Sequence, residues 1–256
     1  VGVLVRCGTR DEIWPKEAGI AHALEHMHFQ GTENFPNSMK LGEYIEETGG
    51  EMYAKTNSER TFYFVRIPAN YVERAVYILG EQLERSIFPE GKIPIEMKNI
   101  IQEIKRKKDD PRGYLWRSSQ EFIYNGHPLS RDNLGTEESL VTLTRDDFLE
   151  FKKRYYNPSN YVFIAVGNIK EKHALNLFDK YFNNKTGGIP NNRKIEKVIA
   201  PSNRVLIKHR DINQLHISLN ALVGQGKDKS SLYLEFFSDM ISGGMSFPLN
   251  QEIRDK

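Results

Sequence analysis

The sequence predicts an α+β fold with a largely antiparallel sheet, and two patterns support that prediction. Short apolar runs of the kind found in strands come in neighbouring pairs, whereas segments with the 3.6-residue spacing of amphipathic helices come in clusters. A doubly wound parallel sheet would need strands and helices in regular alternation, which this order lacks. Residues 1–32 and residues 215–244 show the same order of predicted features: a strand, a polar loop, a helix and a glycine. This repeat further indicates a duplicated architecture.

Most of the predicted elements have a local signal at one end. Gly31 stops the first helix, Gly49 and Gly50 stop the second, and Pro94 suits the first turn of the fourth. A turn over residues 57–60 joins two strands into a hairpin. The predicted strands cover residues 1–7, 51–56, 61–67, 161–166, 205–208 and 215–222. The predicted helices cover residues 20–29, 39–47, 69–86, 95–108, 113–124, 145–156, 171–182 and 231–241, and another begins near Ser246.

Composition narrows the function classes. A net charge of +2 with interspersed acidic and basic residues indicates neither a nucleic-acid-binding nor a membrane-surface protein. No apolar run approaches the ~20 residues of a membrane span. The single cysteine, Cys7, excludes an internal disulfide and fits a reducing compartment, so we expect a cytoplasmic protein. Because the chain opens on Val1 inside a strand pattern, we expect the natural amino terminus to lie further upstream.

The segment His22-Ala23-Leu24-Glu25-His26 has the pattern H-x-x-E-H within an apolar-periodic helix. Residues three and four apart share one helical face, so His22, Glu25 and His26 project together. Two imidazoles one turn apart can bind one zinc ion, and the carboxylate between them can serve as a general base. The alternative is an amphipathic helix whose histidines fall on one stripe by chance.

A catalytic zinc needs three protein ligands, so one more must come from elsewhere in the chain. Glu96 and Glu103 are the best candidates, because they lie seven residues apart and therefore two turns along one stripe of the helix after Pro94. In this lysine-rich segment both carboxylates could equally belong to an exposed, charged helix face. Spacing alone leaves the two interpretations open.

Several segments in the right order resemble the pitrilysin family of zinc peptidases, which includes insulin-degrading enzyme and the mitochondrial processing peptidase. The segment GIAHALEHMHFQGT (residues 19–32) resembles the family's metal helix, and GGEMYAKTNSERT (49–61) resembles its substrate-side strand and turn. HPLSRDNLGTEESLVTLT (127–144) and YNPSNYVFIAVG (156–167) match further segments. GGMSFPLNQEIR (243–254) resembles the opening of the family's second, non-catalytic repeat.

The resemblance implies roles for the candidate residues. His22, His26 and Glu103 would be the ligands of one Zn2+ per chain, and Glu25 would be the base that activates water. Glu96 would support the catalytic site from outside the ligand set, holding a histidine or balancing charge. The other histidines, including His28, are predicted to be structural or surface residues.

The resemblance also implies how substrate binds. A peptide would add as an extra strand along Met52, Tyr53, Ala54, Lys55 and Thr56. This strand addition would recognise the peptide backbone. The family often has Asn where this chain has Tyr53. Arg254 matches an arginine that clamps substrate, and the family's paired tyrosine would fall after Lys256. In two-domain members this pair reaches the site of a partner subunit, so a homodimer or a heterodimer with a related subunit is expected.

The resemblance divides the chain into three parts. Residues 1–186 would form the catalytic α+β domain with helices on one side of its sheet and its first strands missing. Residues 187–204 would be a linker, and residues 205–256 would begin a truncated second domain. The predicted function is a zinc-dependent endopeptidase of the short bacterial type that cleaves unstructured peptides or presequences in a closed chamber. The alternative is a non-catalytic scaffold or binding subunit of the same fold, although such subunits lose part of H-x-x-E-H.

Overall fold

The computed structural model describes residues 1–182, 188–193, 196–222 and 229–254. The described strands are β1 (Gly2–Val5), β2 (Glu51–Thr56), β3 (Thr61–Arg66) and β4 (Tyr161–Ile164). The described helices are α1 (Ile20–Met27), α2 (Ser38–Glu46), α3 (Val72–Arg85), α4 (Ile93–Asp109), α5 (Pro111–Ile123), α6 (Glu137–Leu140), α7 (Arg145–Tyr155), α8 (Glu171–Phe182), α9 (Lys229–Ser242) and α10 (Pro248–Arg254). Short 3-10 turns connect several of them.

The described strands form one sheet in the order β2-β3-β1-β4, and each neighbouring pair is antiparallel. In the predicted hairpin, Glu51 lies opposite Arg66 and Thr56 lies opposite Thr61. Within the described chain, β2 therefore has one free edge. The predicted α+β class with an antiparallel sheet is confirmed.

One face of the sheet is buried under helices. Val3 and Tyr63 on this face are fully buried, and they belong to the same core as Leu24 of α1 and Leu79 of α3. Side chains alternate between faces along a strand, so the opposite face carries Tyr53, which is 41% exposed. The predicted packing of helices on one side of the sheet follows from this alternation.

The chain forms two compact units, Val1–His216 and Ile217–Lys256. The first unit holds the whole described sheet and helices α1–α8, and the second holds α9 and α10. The predicted domain limits at residues 186 and 204 remain a prediction. Among the described helices, none is long and apolar enough to cross a membrane.

The predicted strands at residues 205–208 and 215–222 are wrong, because these described residues form no strand. Their apolar side chains are exposed, and Ile207 and Leu219 retain 85% and 93% of their accessible surface. An apolar run becomes a strand only when a neighbouring strand accepts its backbone hydrogen bonds. No such neighbour lies beside these runs in the described parts of the chain.

Two glycines with the same backbone conformation differ in what surrounds them. Gly135 and Gly49 both have φ of 73°. A Cβ on Gly135 would lie 2.3 Å from the Ala18 carbonyl oxygen and 2.6 Å from the Cα of Gly19, the residue before α1. A Cβ on Gly49 would meet nothing within 4 Å. The loop around Gly135 therefore packs directly against the start of α1.

We expect Gly135→Ala to lower the free energy of unfolding more than Gly49→Ala does. Both variants place alanine in the left-handed region, at about 1–2 kcal/mol each. Both also stiffen the unfolded chain equally. Gly135→Ala adds steric overlap worth about 1–3 kcal/mol. Urea unfolding measures the difference, and equal losses in the two variants would contradict the close packing at Gly135.

Candidate metal centre

Helix α1 holds the H-x-x-E-H residues on a segment that is fixed in the core. Its apolar side chains, including Leu24 and Met27, are fully buried. His22 and Glu25 are themselves only 8% and 9% exposed, while His26 is half-buried. Because the apolar side of α1 is packed against the core, the directions of its polar side chains are set by the fold.

Helix α4 lies against α1 and brings a carboxylate beside each histidine. His22 Nε2 lies 3.0 Å from His26 Nε2 and 3.5 Å from Glu103 Oε2. One donor atom from each of His22, His26 and Glu103 lies within 4.8 Å of the other two. Two nitrogens bound to one tetrahedral zinc lie roughly 3.4 Å apart, so this donor set fits zinc after small side-chain shifts.

Glu96 lies behind His26, outside the three-residue group. Its Oε2 is 3.3 Å from His26 Nδ1. A carboxylate on Nδ1 favours the tautomer whose Nε2 lone pair is free for a metal. Burial acts to lower the pKa of His26, but the hydrogen bond to Glu96 and the surrounding carboxylates outweigh it and raise that pKa. A metal ion at this residue therefore competes more strongly with a proton than it would at an ordinary histidine.

His22 differs from His26 in its surroundings. Burial, helped by the nearby charges of His26 and Lys107, lowers the pKa of His22 to about 3. The imidazole is therefore neutral, as a zinc ligand requires. Its Nδ1 is buried without a hydrogen-bond partner among the described residues.

Lys107 holds the carboxylate of Glu103 from one side. Its Nζ lies 3.3 Å from Glu103 Oε1, one helical turn further along α4. The other oxygen, Oε2, is left to face His22. Sequence reasoning missed Lys107, although the i,i+4 spacing from Glu103 is the signal that identifies such pairs.

Glu25 lies beside the three ligand candidates and is not one of them. Its Oε2 accepts a hydrogen bond from the hydroxyl of Thr56. Burial raises the pKa of Glu25, although the Thr56 hydrogen bond and His26 work against it. A carboxylate with a raised pKa is better matched to proton transfer near neutral pH.

The free edge of β2 offers its backbone groups in alternation. The N–H of Asn57 donates to Arg60 O at 2.9 Å, so the pair beside the turn is hydrogen-bonded. The antiparallel pattern then points the backbone groups of Tyr53 and Lys55 toward β3 and those of Met52 and Ala54 outward. The ring of Tyr53 stacks on Phe64, with centroids 5.1 Å apart.

Thr56 differs from the other four predicted substrate-strand residues. Its side chain is 5% exposed and contacts Glu25, and its carbonyl accepts a hydrogen bond from Asn133 Nδ2 at 3.2 Å. The outward carbonyl at this position is thus already hydrogen-bonded within the chain. Sequence reasoning missed both contacts, because the partners lie 31 and 77 residues away and no local pattern marks them.

The remaining predicted residues are placed as follows. Arg254 ends α10 in the second unit, and its side chain lies outside the described residues. His28 is fully buried, and its Nδ1 lies 2.9 Å from the hydroxyl of Tyr63. It faces the core, as the helical spacing from His26 predicts.

The family comparison agrees with this geometry. Residues 1–137, more than half of the chain, match the profile of the insulinase family, peptidase family M16. The chain belongs to the M16 peptidase family. Residues 142–256 of this M16 chain match the profile of the M16 inactive domain. The predicted family is confirmed.

Curated relatives of this M16 chain are named zinc proteases. A Rickettsia bellii protein named an uncharacterized zinc protease is 29% identical over 257 residues, covering 100% of this chain and 61% of its own length. A Bacillus subtilis protein named uncharacterized zinc protease YmxG is 27% identical over 258 residues, with the same two coverages. The chain therefore spans about three fifths of the length of these relatives.

Solved structures share the fold. A Helicobacter pylori protease has a TM-score of 0.80 at 22% identity, covering 99% of this chain and 62% of its own. An M16 inactive-domain protein from Pseudomonas fluorescens has a TM-score of 0.83 at 16% identity, covering 100% and 62%. Pitrilysin has a TM-score of 0.64 at 21% identity, covering 78% and 21%. These likenesses support the α+β architecture.

Proposed function

We propose that this M16 chain is the catalytic part of a zinc-dependent endopeptidase that hydrolyses unstructured peptides or presequences. The observation that carries the proposal is the complete donor set of His22, His26 and Glu103 with an uncoordinated carboxylate, Glu25, beside it. A purely structural metal site would close the fourth position with another ligand. Among the described residues, no fourth His, Cys, Asp or Glu joins the group.

Each residue has a distinct part in the proposed reaction. Zinc held by His22, His26 and Glu103 would supply Lewis acidity that polarises the peptide carbonyl and makes water more acidic. Glu25 accepts a proton from the attacking water and passes it to the leaving amine. Glu96 keeps His26 in the tautomer that presents Nε2.

Substrate binding would use the free edge of β2. A peptide strand would pair with the outward backbone groups of Met52 and Ala54, and pairing would stop at Thr56, whose carbonyl is already hydrogen-bonded. Backbone pairing demands an extended peptide and accepts many sequences. Side chains on the edge, including Tyr53 and Lys55, would add a preference for certain peptide sequences. Dimerisation, the contribution of Arg254 and cytoplasmic localisation remain predictions.

Metal removal from the natural full-length protein tests the proposal. We expect about one zinc per chain, cleavage of an unstructured fluorogenic peptide, loss of cleavage after chelation and recovery when zinc is returned. Metal analysis and the cleavage rate are measured on the same samples. Undiminished cleavage by the zinc-free protein would contradict the proposal. Full zinc occupancy without cleavage of any extended peptide would favour the scaffold alternative instead.

A matched pair of peptides tests the strand-addition part. The second peptide has the same sequence but carries N-methyl groups at alternate residues, which remove the amide donors that face the edge. We expect its KM to rise with kcat little changed, because the ladder to Met52 and Ala54 loses hydrogen bonds. The N-methyl groups can be placed on either of the two alternating sets of residues. An unchanged KM for both methylated peptides would contradict pairing at β2.

A further inference from the structure

Among the described residues, the carboxylate of Glu25 is hydrogen-bonded to a single residue, Thr56. Its Oε2 accepts a hydrogen bond from the Thr56 hydroxyl. The two side chains are 5% and 9% exposed, so little water competes for the contact. A buried, charge-assisted pair of this kind restricts the carboxylate more strongly than a surface hydrogen bond does.

The Thr56 hydroxyl has one proton and two acceptors within reach. Thr61 Oγ1 lies 3.4 Å away across the hairpin, at the limit of hydrogen-bond distance, and it donates its own proton to the Cys7 carbonyl at 3.1 Å. The Glu25 carboxylate is closer and carries charge, so it is the stronger acceptor. The Thr56 hydroxyl therefore donates its hydrogen bond to Glu25.

Thr56 is also the last residue of the free edge strand. Its carbonyl accepts a hydrogen bond from Asn133, which fixes the strand end. Two residues earlier along the same edge, Ala54 points its backbone groups outward. The edge on which substrate would add and the candidate base are thus joined through one residue.

We propose that Thr56 is a positioning residue that holds Glu25 in the orientation of a general base and ties that orientation to the substrate-binding edge. This inference rests on the proposed peptidase function. Without the hydroxyl, the three side-chain torsions of Glu25 become free, and the carboxylate spends less time where it can take a proton from water. Zinc binding does not depend on this contact, because Glu25 is not among the three ligand candidates.

Kinetics of two Thr56 variants separate positioning from a merely structural role. Thr56→Val keeps the shape but removes the hydroxyl, and we expect kcat to fall about 10- to 100-fold, the range that a hydrogen bond to a charged group supports. KM and zinc content should stay near wild type. Thr56→Ser restores the hydroxyl and should recover most of kcat. An unchanged kcat in Thr56→Val, a loss confined to KM, or no recovery in Thr56→Ser would overturn the proposal.

Thr61→Val is the matched control. It removes a fully buried hydroxyl from the residue directly opposite Thr56, but it leaves the Glu25 contact in place. We expect a lower melting temperature with kcat unchanged. A fall in kcat equal to that of Thr56→Val would show that any damage to the hairpin has the same effect, and would overturn the positioning role.

A double-mutant cycle in the zinc-free protein tests the contact without using activity. In the first cycle, Thr56→Val and Glu25→Ala together should lower the unfolding midpoint by less than the sum of the two single variants. In the second cycle, the decreases caused by Thr61→Val and Glu25→Ala should be additive. Additivity in the first cycle would overturn the inference. If wild type binds zinc but cleaves no peptide while the first cycle is non-additive, the proposed function fails and the Thr56–Glu25 contact stands.

Discussion

Replacing Glu25 with glutamine is expected to leave about one zinc per chain and to lower kcat for peptide cleavage by about 10²–10⁴-fold, the contribution of a positioned general base. Glutamine keeps the shape of the side chain and can still accept the Thr56 hydrogen bond, so the fold should be unchanged. It cannot take a proton from water. The metal ligands His22, His26 and Glu103 are untouched.

The measurement combines the cleavage rate of an unstructured peptide with metal analysis of the same preparation. Glu46→Gln is the control, because Glu46 is exposed on α2 and lies outside the metal centre. We expect this control to match wild type in both readouts. Cleavage by Glu25→Gln within tenfold of the wild-type rate would contradict the role of the base. A loss of zinc in this variant would instead make Glu25 a ligand.

Replacing Glu103 with alanine is expected to remove zinc almost completely. Only His22 and His26 would remain as ligands, and Lys107 would lose its carboxylate partner and leave an unpaired cation beside the site. Both changes disfavour a divalent ion. Cleavage should fall with the metal content, since the remaining residues cannot polarise a peptide carbonyl in its place.

Glu96→Gln is the matched comparison for Glu103→Ala, since both side chains lie on α4 and point at the histidines. Glu96 contacts His26 from behind, so its loss should weaken zinc binding by only about 10- to 100-fold. Competition with a zinc-binding dye gives both affinities. An equal loss in the two variants, or wild-type zinc content in Glu103→Ala, would contradict the assignment of Glu103 as the third ligand.

Helical geometry alone predicts which side chains share a face within each of the two ligand-bearing helices. His22, Glu25 and His26 lie within one turn and a quarter, and Glu96 and Glu103 lie two turns apart on one stripe. The sequence does not say which stripe of α4 faces which stripe of α1. Resemblance to the family supplied that pairing, and the structure places Glu103 beside His22 and Glu96 beside His26.

The contacts that were missed depend on tertiary packing. Thr56 was predicted as a substrate contact because it belongs to the edge strand, yet its side chain turns inward to Glu25, 31 residues away in sequence. Alternation along β2 separates Thr56 from Tyr53 and Lys55, but it does not name the inward partner. The wrong strand at residues 215–222 has the same origin, because a strand needs a neighbour that no local pattern specifies.

Anomalous diffraction at the zinc edge, from crystals of the zinc-loaded full-length protein, tests the metal centre most directly. We expect one strong peak per chain within about 2.0–2.2 Å of His22 Nε2, His26 Nε2 and one oxygen of Glu103. The carboxylate of Glu25 should remain on Thr56 and outside this distance. A peak at any other set of residues, or a Glu25 oxygen in the place of Glu103, would contradict the metal centre described here.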